Sequence, residues 1–326
     1  MSAAPAPPER RAPSAAGVVR RALPPRVLSR LRPLVSTVGG GFAVAALSLV
    51  LLTALVSLFW TPHDPAGASA ERLWQPPSLS YPLGTDGSGR DIASRLIAGS
   101  RVTVLVAAGT GLAAAVIGLV LGVLGGLGPR RARQAVAVGV DVLIAFPTVL
   151  LAMMLAAVYG SGVWVVVAAL GIAFGVSIGR VLRAEFAQVA EADFVLAARA
   201  AGLSRPTILR RHLIPSVRPV FIVQLSLSMG LAVLAESSLS YLGFGAPPGV
   251  PSWGRMLAES QRYISVHPGT VLWPGLAIAL TVLGFLLLGD ALRDALDLRG
   301  PRVARPAPGA TGATGPVGAA PMEVLP

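Results

Sequence analysis

"LAARAAGLSRPTILRRHLIPSVRP", residues 196–219, places five arginines in a chain that is otherwise mostly Leu, Val, Ala and Gly. On either side lie apolar runs, approximately 162–179 and 219–240, each close to the roughly 20 residues that cross about 30 Å of hydrocarbon. A basic, helix-compatible insert between two such runs reads as a loop between membrane spans. Working outward, further apolar runs fall near 38–60, 102–127, 136–158 and 271–289, which predicts an all-α, polytopic integral membrane protein with about six transmembrane helices.

Composition agrees. Of 326 residues 54% are hydrophobic and 13% charged, against about a quarter charged in soluble domains, and mean hydropathy is +0.70. The net charge of +12 comes entirely from arginine, because the chain has no lysine. It has no cysteine either, which excludes disulfides, thiolate metal sites and cysteine nucleophiles. Without lysine there is no phosphate-binding P-loop, no Schiff base and no Ser-x-x-Lys nucleophile, so the chain is expected to hydrolyse no ATP itself. His63, His212 and His267 lie in three distant segments, without metal-ligand or triad spacing.

Arginine position predicts orientation. Arg10 to Arg32, Arg130 to Arg133, Arg180 to Arg218 and Arg293 to Arg305 fall in regions that alternate spans place on one side. The intervening loops 61–101 and 241–270 carry arginine more sparsely, partly offset by Asp64, Glu71, Asp86, Asp91 and Glu259, so both termini are expected to be cytoplasmic. "AGASA" at 66–70 has the small residues of a signal-peptidase site, but the apolar run before it exceeds a signal h-region and roughly forty residues precede that run. Residues 1–35 and 301–326 are expected to be disordered, leaving a membrane-spanning core over 36–300 with its basic loop at 184–218.

Within the loop, Asp193 near the start and Arg199 near the end suit a helix dipole, and Gly202 suits the left-handed position that ends a helix. Ser204 is expected to cap a second short helix, with Pro206 in its first turn and Pro215 stopping it. The alanines predict a nearly flat face that another protein can approach closely. Tethered at both ends to spans, the pair cannot lie in a DNA groove, and no nucleic-acid partner is expected. Arg205, Arg210, Arg211 and Arg218 also suit anionic lipid.

The pattern Ala197, Ala198, Gly202, Pro215 resembles the EAA loop of ABC-importer permeases, with Leu196 where the loop's glutamate would stand. "YPLGTDGSGRDIASRLIAGSR" (81–101), "DVLIAFPTVLLAMML" (141–155), "SYLGFGAPPGVPSWGRMLAE" (240–259) and "PGLAIALTVLGFLLLGDALRDALDLR" (274–299) agree in order and spacing with the C-type permease subunit of oligopeptide, dipeptide and nickel importers. That resemblance implies the type I ABC importer permease fold in a bacterial inner membrane. It implies pairing with a second, homologous permease, two ATPase subunits that bind ATP and magnesium, and an extracytoplasmic solute-binding protein, with no cofactor on this chain. Peptides are the implied substrate, with nickel or another small solute as the alternative and a proton-coupled secondary transporter as a further one.

The same resemblance assigns ATPase coupling to Asp193, Phe194, Ala197, Ala198, Arg199, Gly202, Arg210, His212 and Pro215. Trp253, Arg255 and Tyr263 are candidate contacts for the binding protein, in a loop (245–267) that Pro247, Pro248 and Pro251 stiffen and that is expected to form short interfacial helices. Glu236 is a candidate pathway residue, an interhelical hydrogen-bonding group or an interfacial carboxylate; Asp141 and Asp290 end spans and suit the interface. "DGSGRD" (86–91) reads as a Gly-rich turn, since it lacks the ligand alternation of a calcium loop. The Gly-rich spans two and three suit close helix packing.

Overall fold

The computed structural model describes residues 37–297. The expectations for 1–35 and 301–326 lie outside them. The described residues form helices α1 (Val38–Ser57), α2 (Ile92–Leu127), α3 (Arg130–Ile144), α4 (Thr148–Tyr159), α5 (Val163–Ala190), α6 (Asp193–Ala200), α7 (Arg205–Ile208), α8 (Ile214–Tyr241), α9 (Trp253–Ser260) and α10 (Gly269–Asp297). Among the described residues the single β feature is an isolated bridge between Thr85 and Asp91.

Five of these helical stretches are long and apolar enough to cross a membrane, and α3 with α4 makes a sixth if that bent pair is counted as one span. The run expected to span over 136–158 is broken in two: α3 and α4 meet at 84°. Pro147 causes the break, because it lacks a backbone N–H and disfavours helical geometry at the residue before it. It sits instead at the N-cap of α4, where its carbonyl accepts the first bond, from Leu151 N at 3.0 Å.

The scaffold is the pair α2 and α5, which run parallel. A Cβ on Gly118 would lie 2.5 Å from Ile178 Cγ2, one on Gly122 2.6 Å from Leu182 Cβ, and one on Gly126 2.8 Å from Phe186 Cβ. The partner helix reciprocates: Gly171, Gly175 and Gly179 face Ala113, Ile117 and Leu121 at 2.6–2.7 Å. Both helices thus use glycine four residues apart to bring their backbones together, which gains van der Waals contact where lipid supplies no hydrophobic contrast. The glycine stripe of the second span packs mainly on the fourth span, with Gly125 also meeting Val136 of α3.

Around that pair, α10 runs antiparallel to α8, with Ser226 Oγ donating to Phe285 O at 2.8 Å, and α1 packs on α10 where Gly284 faces Leu47. The register of these contacts puts 61–91 and α9 at one end of the bundle and α6 with α7 at the other.

Candidate functional site

At one end, α5 finishes at Ala190 and a two-residue turn leads into α6. Val195 (fully buried) and Ala198 (7% exposed) point inward against Leu182, Phe186, Ile208, Leu213 and Val217. The opposite face carries Phe194, Leu196, Ala197 and Arg199, all exposed. The expectation that Ala198 meets a partner is therefore corrected: i,i+3 spacing from Val195 sends it into the chain's own core, and Ala197 holds the outward position. Asp193 lies in the first turn and Arg199 in the last, where Arg199 also donates to Ala190 O at 3.3 Å.

Gly202 adopts φ +79°, and the turn around it has both Schellman bonds: Leu203 N to Ala198 O at 3.2 Å and Gly202 N to Arg199 O at 3.0 Å. Ser204 occupies the N-cap of α7, but its hydroxyl pairs with Thr207 Oγ1 rather than with backbone N–H. Pro215 does not stop the chain. A π-helical turn, Leu209–Leu213, carries α7 into α8, with Ile214 N donating to Leu209 O, and Pro215 enters α8 in its first turn. The wider turn moves aside the carbonyl that a proline ring would otherwise strike. Phe194 and His212 rings approach to 6.3 Å, while Arg210 and Pro215 are exposed.

The other end is organised by carboxylates. Asp91 caps α2, accepting from Ala93 N and Ser94 N, and its second oxygen also takes Ser94 Oγ and lies 3.2 Å from His63 Nδ1. Asp86 Oδ1 accepts Ser88 N and Arg90 N; its Oδ2 accepts Arg90 Nε at 3.0 Å and Arg95 Nη1 at 2.6 Å. "DGSGRD" is thus a turn whose carboxylate is filled by backbone N–H and guanidinium groups. Glu259 of α9 accepts Arg90 Nη2 and Arg95 Nη2, both at 2.7 Å, and Arg255 Nε lies 3.5 Å from its other oxygen. Arg95, 4% exposed, therefore bridges a carboxylate in the loop before α2 to one 164 residues along the chain.

Trp253 is 3% exposed, and its Nε1 donates to Leu96 O at 2.9 Å. This corrects the expectation that its ring meets a partner: it fastens α9 to the start of α2. Tyr263 is exposed and Arg255 half-buried, its Nη1 donating to Ala246 O. The expected helices of 245–267 are present as α9 and a 3-10 turn, Gln261–Tyr263. Glu236 is 1% exposed and accepts Ser240 Oγ at 2.6 Å, while Ser240 Oγ in turn accepts Ala246 N. Glu236 therefore ties α8 to the following loop and does not reach solvent.

Sequence reasoning passed over Asp86, Arg90, Arg95 and Glu259 as a group. The signal was Arg95, a charged residue four positions past a helix cap at the head of an apolar span.

A helical bundle with these glycine-packed spans and a short helix at one end has the fold of a type I ABC importer permease. The fold matches a chain of the methionine ABC transporter MetNI in inward-facing conformation, with TM-score 0.51 and 17% identity over 62% of this chain and 96% of that one. Residues 75–300 match the model of the family described as binding-protein-dependent transport system inner membrane component, and the chain belongs to that family. It is 34% identical over 259 residues to the dipeptide transport system permease protein DppC of Alkalihalophilus pseudofirmus, covering 78% of this chain and 85% of that protein. It is 38% identical over 260 residues to the glutathione transport system permease protein GsiD of Pectobacterium atrosepticum, covering 78% and 86%. The chain is a multi-pass inner-membrane component of an ABC importer, a transporter subunit.

Proposed function

We propose that this chain is one of two permease subunits of a peptide-importing ABC transporter, and that α6 with its Gly202 turn is the EAA-loop element that docks on a partner ATPase. The observation that carries the reading is the identity of 34–38% to permeases named for dipeptide and glutathione transport, both peptide cargoes. In this reading both termini and α6 are cytoplasmic, and the end bearing α9 faces the solute-binding protein. ATP and magnesium belong to the two ATPase subunits. Their closure on ATP favours one arrangement of the spans over another, and a rigid helix between ATPase and bundle transmits that preference. Asp193, Phe194, Ala197, Arg199, Gly202, Arg210 and His212 form or flank the docking face, with buried Ala198 supporting it from within and exposed Pro215 at the start of α8. Exposed Arg205, Arg211 and Arg218 suit anionic headgroups beside it.

A strain lacking the chain is expected to lose growth on defined di- and oligopeptides and to regain it on complementation. A defect confined to nickel-limited growth would replace the peptide reading with the nickel one. Orientation is checked separately, on a chain with no cysteine background: Ser204→Cys is expected to label only from the cytoplasmic side and Ser265→Cys from outside. The reverse pattern would invert the topology and remove α6 from the ATPase.

A further inference from the structure

The end of the bundle that bears α9 carries a pocket of about 520 Å³ whose wall includes Trp74, Arg90, Arg255, Glu259, Arg262 and Tyr263. Its charge does not balance. Arg90, Arg95 and Arg255 share the two carboxylates Asp86 and Glu259, and the Arg262 side chain has no hydrogen bond or ion pair among the described residues. Three guanidiniums on the wall and Arg95 buried behind it, against two carboxylates, leave two positive charges in excess. Asp91, the next carboxylate along the chain, is occupied by its own helix cap and His63. An excess of cations in a partly enclosed site of lowered dielectric attracts an anion.

The walls are held in place for such a ligand. Trp74 has φ +54°, an uncommon backbone conformation for a tryptophan, and its ring stacks on His267 at 4.0 Å with 6° between planes while Tyr263 meets its edge at 4.7 Å. Gly87 leaves room for that ring, since a Cβ there would lie 2.5 Å from Trp74 Cζ2. On the far side, α9 is pinned to α2 by Trp253 and the Arg95 bridge. The result is a stiff socket with an unpaired guanidinium at its mouth.

We infer that this socket takes an acidic side chain of the docked solute-binding protein, held by Arg262 and Arg255 against the aromatic wall. The inference rests on the proposed function, which puts this end of the bundle toward that partner. The socket is built from 74–90 and 240–263, the segments that cap the spans, so a protein approaching from outside meets it first. A substrate carboxylate gripped here would be retained where an importer needs it to move on. An acidic side chain on the partner gives orientation and salt-sensitive encounter without trapping the cargo.

The test uses the complete transporter, with both permeases and ATPases, in nanodiscs, and measures the affinity of its binding protein over roughly 50 to 500 mM NaCl. Arg262→Glu is expected to weaken docking about tenfold or more at low salt and to flatten the salt dependence, with Arg262→Lys staying within about threefold of wild type. Replacing one acidic residue of the binding protein with arginine is expected to restore docking to Arg262→Glu. Wild-type affinity and salt dependence in Arg262→Glu overturn the inference, as does binding of free peptide without binding protein that Arg262→Glu abolishes. Failure of any binding protein to dock on the wild-type transporter would instead sink the proposed function.

Discussion

Ala197→Trp is expected to abolish uptake while leaving insertion and pairing with the other permease intact. Ala197 is exposed on the outward face of α6, beside Phe194, so a large ring there does not disturb the contacts of Val195 and Ala198, and in the proposed docking it holds the ATPase surface away. Coupling between sites is typically about 1–3 kcal/mol, or roughly 5–150-fold, and it is this factor that the substitution removes. Gly202→Val is expected to uncouple by a different route. Nothing lies within 4 Å of a Cβ built there, so the cost is backbone strain at φ +79°, about 1–2 kcal/mol, which relaxes by changing the angle between α6 and α7. Ala198→Trp differs again, overfilling a packed core and lowering the stability of the loop itself by about 1–3 kcal/mol. The measurement is ATPase stimulation by loaded binding protein in proteoliposomes, together with uptake. Wild-type stimulation in Ala197→Trp and Gly202→Val would withdraw α6 as the coupling element.

Gly254→Val is expected to detach the cap at the opposite end. A Cβ on Gly254 would fall well inside contact distance of the Ser237 carbonyl, with Ser237 C at 2.7 Å and Cα at 2.8 Å, so α9 lies backbone to backbone on α8. No rotamer change relieves a clash with main chain, and even alanine must push the helices apart. Moving α9 withdraws Trp253 from Leu96 and Glu259 from Arg90 and Arg95, leaving the nearly fully buried Arg95 with Asp86 as its one carboxylate. Breaking a buried ion pair costs about 3–5 kcal/mol, less here because Glu259 is one-third exposed. Thermal unfolding in detergent is expected to show a clear fall in Tm for Gly254→Val. Gly249→Ala serves as the comparison: its φ is +86° but nothing lies within 4 Å, so only local strain of about 1–2 kcal/mol is added. Equal Tm values for the two variants would mean that α9 is not seated on α8 as described.

How much of this was legible differs between the two ends. Gly202 was readable because a left-handed helix stop is a local requirement that glycine meets without neighbours. The inward turn of Ala198 was not, because a run of alanines presents the same chemistry on every face. "DGSGRD" was readable as a turn, yet its role as a holder of Arg90 and Arg95 was not, since its partner Glu259 lies on a helix more than 160 residues away. Trp253 shows the cost of composition alone: an aromatic in a Pro-rich outer loop suits an interface, but the Leu96 carbonyl within reach of its N–H draws it inside.

By itself the sequence determined that the chain is helical and membrane-spanning, where its apolar runs lie, and that a short helix, a left-handed turn and a second helix interrupt them. These are local properties, set by about 20 consecutive apolar residues or by the backbone freedom of one glycine. Only the tertiary structure decided that α2 packs on α5, that Pro147 bends the third run by 84°, and that Arg95 joins Asp86 to Glu259. The reason is physical. In lipid a leucine facing a tail and a leucine facing a helix are nearly equivalent, so hydrophobicity carries no record of which face meets which neighbour. That record lies in the fit of glycine backbones to opposing side chains and in charges that must find partners, and both are resolved only when distant segments come together.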